Sequence, residues 1–90
     1  MSLEEYRKEI DRINHELAEL VAERMEVVEK VGEYKKENNM DIKDEGREED
    51  VKDQFADIFE ENDLPGDKGR DLADLLIGLA IEEEEEVKEE

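Results

Sequence analysis

The sequence predicts an all-α fold: three helices per protomer, built on a long first helix that a second copy of the chain covers. Three observations predict it. Apolar residues recur at helical spacing through most of the chain. No stretch shows the alternation of a strand. The apolar seam of the first helix is also too long for a globule of 90 residues.

The first helix is expected over residues 3–38, about 36 residues and roughly 54 Å. Its seam is Leu3, Tyr6, Ile10, Ile13, Leu17 and Leu20, then Val27, Val31 and Tyr34. The steps alternate three and four, as in a helix packed along its whole length. The seam position after Leu20 holds Arg24. A guanidinium inside an apolar seam needs an anionic partner or it destabilises the fold. Ser2-Leu3-Glu4-Glu5 forms a capping box at the start, in which Ser2 accepts from the Glu5 amide and the Glu5 side chain reaches back. Gly32 interrupts the helix at a cost of about 1 kcal/mol, and Asn38 and Asn39 stop it. A compact chain of this length has a radius of gyration of about 12 Å. A helix this long does not fit inside such a globule, so the protomer is elongated or dimeric, and the dimer is the favoured form.

Met40 to Lys43 reads as a short extended connection. Asp44 is an N-cap for the second helix, expected over 45–61 with Val51, Phe55, Ile58 and Phe59 on its apolar face. Asn62-Asp63-Leu64-Pro65-Gly66 turns the chain. The third helix is expected over 67–88. Its middle, Leu72 to Ile81, is apolar nearly all round and is expected to be buried on most sides. Gly69, Ala73, Gly78 and Ala80 would let another helix approach closely. No repeat or second domain appears, so residues 1–90 read as one domain. The run Glu82 to Glu86 reads first as a solvated helix end, frayed at low salt because negative charge there opposes the helix dipole.

Composition excludes several classes of function. Without cysteine there are no disulfides and no thiolate metal sites. No apolar run has the length of a membrane span and the first residues carry no signal-like core, so a soluble, cytoplasmic chain is expected. Half the residues are charged and the net charge is −19, which argues against binding nucleic acid or an anionic membrane. Such acidity also fits a halophilic source, in which salt screens self-repulsion.

In so acidic a chain the cations stand out. Arg24 lies on the seam, and Lys35 projects to nearly the same side three turns on. Arg7 sits at the edge of the stripe near the other end, and Arg47 in the first turn of the second helix, where the dipole disfavours it. Together they could bind a small polyanion, arginine gripping carboxylates in bidentate fashion. Ordinary ion pairs with some of the 32 acidic residues are the competing reading, and both stay open. His15 has no clustered partner and reads as a surface residue. Met1, Met25 and Met40 are scattered. The sequence has no phosphate-cradling glycine loop and no nucleophile motif.

The chain resembles the all-helical chorismate mutases over nearly its whole length. The segments that carry the likeness are Tyr6-Arg7-Lys8-Glu9-Ile10-Asp11-Arg12-Ile13, Leu20-Val21-Ala22-Glu23-Arg24, Val31-Gly32-Glu33-Tyr34-Lys35, Asp44-Glu45-Gly46-Arg47-Glu48 and the helix from Leu72 to Glu84. None is specific alone; their order and spacing together are. The resemblance implies an intertwined homodimer in which the long helices pair and each active site takes one arginine from the other subunit. It implies rearrangement of chorismate to prephenate, on the route to phenylalanine and tyrosine, with no metal or organic cofactor. By the same resemblance Arg24 and the partner subunit's Arg7 would grip the substrate carboxylates. Lys35 would donate to the ether oxygen, and Arg47 would add positive field. Asp44, largely through its backbone, and Glu48 would face the substrate hydroxyl.

The chain departs from the family pattern at two positions. Many relatives donate to the ether oxygen from Gln where this chain has Glu84, and some use Glu. A glutamate donates only when protonated, a form favoured by like charge from the four glutamates beside it, so activity is expected to fall as pH rises. Ala80 stands where several relatives have a small hydroxyl residue, which removes one polar contact. Isochorismate pyruvate lyase, on the same fold with similar cations, and a non-enzymatic acidic helical module are the alternatives.

Overall fold

The computed structural model describes residues 2–90, whose only regular elements are helices; Met1 lies outside. Helix α1 spans Leu3–Glu37, α2 Glu45–Glu61 and α3 Gly66–Glu89. The ends follow local chemistry. Ser2 is extended and its hydroxyl accepts from the Glu5 amide at 3.2 Å. The return bond from the Glu5 side chain does not form, so half of the expected capping box is present. Asn38 closes α1, its side-chain amide donating to the Tyr34 carbonyl at 2.8 Å, and Asn39 takes a left-handed φ of 53°. Asp44 caps α2, accepting from the Arg47 amide at 3.0 Å. Asp63, at φ 59°, turns the chain before Pro65, the N-cap of α3.

The molecule is a slab of 55 × 25 × 14 Å with a radius of gyration of 16.2 Å, well above the ~12 Å of a compact chain. Helix α3 packs on both α1 and α2, which do not pack on each other. The core is thin: Val28, Val51, Ala56, Ala73, Leu76 and Val87. Small residues set its spacing. A Cβ on Gly69 would lie 2.6 Å from the Phe55 carbonyl oxygen, and one on Gly32 would lie 3.2 Å from the Val87 Cβ. Ala73, one turn on from Gly69, is completely buried. Across the outer edge of α2 and α3, Arg70 bonds to Asp53 and to Glu49, and Lys52 lies 3.3 Å from Asp74. The Asp53 hydrogen bond, chiefly, raises the Arg70 pKa; on an open surface such a clip adds little stability.

Several expectations need correction. The residues that α3 buries on α1 are Val28 and Gly32, one position off the seam. The seam itself is open: Leu3, Tyr6, Ile10, Ile13, Leu17 and Leu20 are between 50% and 62% exposed. On α2, Ala56 is buried where Ile58 was expected, and Ile58 faces outward. The middle of α3 is not buried on most sides. Leu75 and Leu79 are exposed, and nothing lies within 4 Å of a Cβ on Gly78. The acidic end of α3 is helical to Glu89. No helix among the described residues is long and apolar enough to cross a membrane.

Candidate active site

The three helices enclose a cavity of about 580 Å³, open on one side, a volume in the range of small-molecule sites. Val28 of α1, Val51 of α2 and Ile77 and Ile81 of α3 form much of its apolar wall, with Ile42 from the connection. Into it come Arg24, Lys35, Asp44, Arg47, Glu48, Ala80 and Glu84. These are the residues singled out from the sequence, with the exception of Arg7. Arg7 is exposed on the free part of α1, roughly 25 Å along the helix from Arg24. Its own protomer's cavity is out of its reach.

Each charged side chain is placed by its helix. Arg24 is partly buried, and its Nη1 donates to the Leu76 carbonyl of α3 at 3.4 Å. No carboxylate among the described residues is in ion-pair reach of it. The anionic partner expected for Arg24 is therefore absent within the protomer, and one long hydrogen bond leaves most of its donors free. Arg47 is likewise unpaired among the described residues, while its amide serves the Asp44 cap. That cap engages Asp44 Oδ1, and the Asp44 carbonyl accepts from the Glu48 amide at 3.0 Å. The ordinary fate of a cation in this chain is seen at Arg12, which lies 3.0 Å from Glu16; His15 is exposed, 2.9 Å from Glu19.

Lys35 and Glu84 meet at the end of the cavity. The Lys35 Nζ donates to the Ile42 carbonyl at 2.8 Å and lies 2.7 Å from Glu84 Oε1. The latter approach brings the charges together but lacks the angle of a hydrogen bond. Glu84 Oε1 is thus buried without a donor, and so is Glu48 Oε2, 3.3 Å from the Lys43 Nζ. Buried oxygens without partners carry a free-energy cost, which a ligand hydrogen bond would relieve. The glutamate run divides as its helical spacing requires. Glu84 is 6% exposed and faces the cavity. Glu82, Glu83, Glu85 and Glu86 instead line a separate groove with Met25, Leu79 and Glu89. The charge next to Glu84 is the Lys35 ammonium, not another glutamate, which corrects the like-charge argument made from the sequence.

The Ile42 carbonyl was not anticipated. It fixes the Lys35 ammonium, and a backbone acceptor leaves no mark in a sequence. The apolar wall was more accessible to pattern, because Ile77, Ile81 and Glu84 follow one another at steps of four and three along α3.

No curated protein and no solved structure matched the chain. The model of the chorismate mutase type II family matches residues 6–85, a span that takes in the cavity and all three helices. By that match the chain belongs to the chorismate mutase type II family, an all-helical family of intramolecular isomerases.

Proposed function

We propose that this chain is a chorismate mutase, acting as a homodimer in which the partner subunit's Arg7 completes each cavity. The observation that carries this reading is the charge layout of the cavity. Arg24 and Arg47 lack carboxylate partners in a chain with 32 acidic residues, and the buried oxygens of Glu48 and Glu84 lack donors. A dicarboxylate answers the first need, and a hydroxyl on it supplies a donor to Glu48.

The reaction is concerted and unimolecular. The ether C–O bond breaks as a C–C bond forms, with no covalent intermediate and no proton transfer. The protein holds the compact conformer and stabilises the charge that grows on the ether oxygen. Arg24 and the partner subunit's Arg7 bind the carboxylates. The Lys35 ammonium, fixed by the Ile42 carbonyl, donates to the ether oxygen. Glu84 is the second donor to the same atom, from α3, a role a glutamate can fill only in its acid form. Glu48 accepts from the substrate hydroxyl, the Asp44 backbone faces the same hydroxyl and its amide donates to the oxygen, and Arg47 contributes positive field. Ala80 and the isoleucines of α3 form a dry wall, which strengthens these interactions. The whole chain serves as one catalytic domain and needs no metal or organic cofactor. Chorismate is the small-molecule partner, and nucleic acid and membranes are not partners. Its acidity suits a cytoplasmic, halophilic setting.

The test is turnover of chorismate with product identification, at low and molar salt. Prephenate is expected. Arg24→Leu should lower kcat/KM by about 10²–10³-fold, the typical effect of removing one transition-state donor, while leaving the helices intact. Salicylate and pyruvate formed from isochorismate, with no prephenate formed from chorismate, would assign the chain to the lyase reaction. Absence of turnover in a folded dimer would favour a binding module, and in such a module Arg24→Leu leaves function unchanged.

A further inference from the structure

The end of α3 is held by two lysines that take no part in the site. Lys36 lies on α1 beside Lys35, and its Nζ donates to the Val87 carbonyl at 3.4 Å. Lys88 lies one turn beyond Glu84, and its Nζ donates to the Met40 carbonyl in the α1–α2 connection at 3.1 Å. That connection is bonded back to α1, the Met40 amide donating to the Lys35 carbonyl at 2.8 Å. Two residues on, its Ile42 carbonyl holds the Lys35 ammonium. The lysines thus join the elements that bear Lys35, Ile42 and Glu84.

The need for such a tie follows from charge. Glu82, Glu83, Glu85, Glu86 and Glu89 crowd around one groove, and no cation among the described residues is in ion-pair reach of them. Their mutual repulsion and the helix dipole both favour unwinding of this end. The only apolar anchor of the last turn is Val87, against Gly32. Cations at the helix terminus, one bonded to a terminal carbonyl, oppose both effects.

We propose that Lys36 and Lys88 are positioning residues that clamp the last turns of α3 and so hold Glu84 against Lys35. The catalytic part of this statement rests on the reading of Glu84 as a donor to the ether oxygen. Because the clamp counters charge repulsion, it matters most at low salt, where the repulsion is least screened.

The test uses the full chain carrying Lys36→Met and Lys88→Met, two substitutions that keep length and remove charge. Amide hydrogen exchange is read along α3 together with kcat and KM for chorismate. At low salt, exchange over residues 84–89 should rise on the order of tenfold while amides around Val28 and Leu76 stay protected. The kcat should fall by about tenfold with KM within about twofold, since Glu84 acts on the transition state. Molar salt should restore both readouts, and Lys36→Arg with Lys88→Arg should restore them at low salt. Unchanged exchange, faster exchange throughout the molecule, or faster exchange over 84–89 with unchanged kcat would each overturn the proposal. A parent chain that forms no prephenate would overturn the reaction assigned above, and exchange alone would then decide whether the lysines hold the turn.

Discussion

The two halves of α1 carry one repeating pattern and meet different surroundings. From Val21 to Glu37 the helix lies against α3, which buries Val28 and Gly32, and its seam residues Arg24, Val27 and Val31 line the cavity. From Leu3 to Leu17 the same three-four spacing continues with every seam residue at least half exposed, and Leu20 is the first seam residue to reach the cavity. Periodicity specifies a face that wants burial, and it does not specify what buries it. In the C-terminal half that face has a cavity to line, and in the N-terminal half it has only solvent. Each large apolar side chain left half exposed forgoes roughly 1 kcal/mol of burial. The open half thus favours association strongly, and it bears Arg7, the cation for which the protomer has no use. The two halves become equivalent if the free half of one chain covers the cavity of the other.

The largest expected effect comes from charging the free seam. Leu17→Glu should turn the dimer into a monomer and abolish prephenate formation, while circular dichroism still shows the α1–α3 packing of the other half. Sedimentation equilibrium checks it, and an active monomer would break the proposed equivalence of the two halves. A smaller effect is confined to the packed region. Gly69→Ala pushes a methyl into the Phe55 carbonyl and should destabilise the protomer by about 1–3 kcal/mol in denaturant unfolding. The same change at open Gly78 should be neutral or stabilise by up to about 1 kcal/mol.

The mildest effect concerns pH. The Glu84 carboxyl can donate to the ether oxygen only in its acid form, so with Glu84 as a donor the kcat of the parent should depend on pH. Glu84→Gln donates at any pH, and its profile should be flat over the same range. A parent and a variant with superimposable profiles would remove Glu84 from the donor pair and leave Lys35 alone.

The helices could be read from the sequence because their ends are local chemistry. Ser2, Asn38, Asp44 and the Pro65-Gly66 turn each act on a neighbouring amide or carbonyl, and the observed bounds fall within a residue of those expected. Which residues are buried was harder to read. Val28 and Gly32 sit beside the seam rather than on it, because α3 approaches α1 at the glycine and not at the largest side chains. The apolar middle of α3 looked like a buried core, yet Leu75 and Leu79 face outward, since helical composition carries no information about which sides have neighbours. The polar site divides in the same way. Arg24 was conspicuous as a cation in an apolar seam. Glu84 was hidden in a run of five glutamates, and only its place in the family pattern set it apart from the others. Its burial against Lys35 depends on the register of α3 on α1, a tertiary property. The fixing of Lys35 by the Ile42 carbonyl has no sequence signal at all.

The most direct test of the exchange between halves is complementation. Arg7→Ala and Arg24→Ala variants, each inactive alone, are mixed in equal amounts under conditions that let subunits exchange, and prephenate formation is measured. If the free half of α1 completes the partner's cavity, half of the dimers are mixed and each mixed dimer carries one intact site. Activity should then return to about a quarter of that of the parent. No recovery, with mixed dimers demonstrated, would mean that the two arginines serve the same protomer or that Arg7 serves no site, and the account of the open half of α1 would fail.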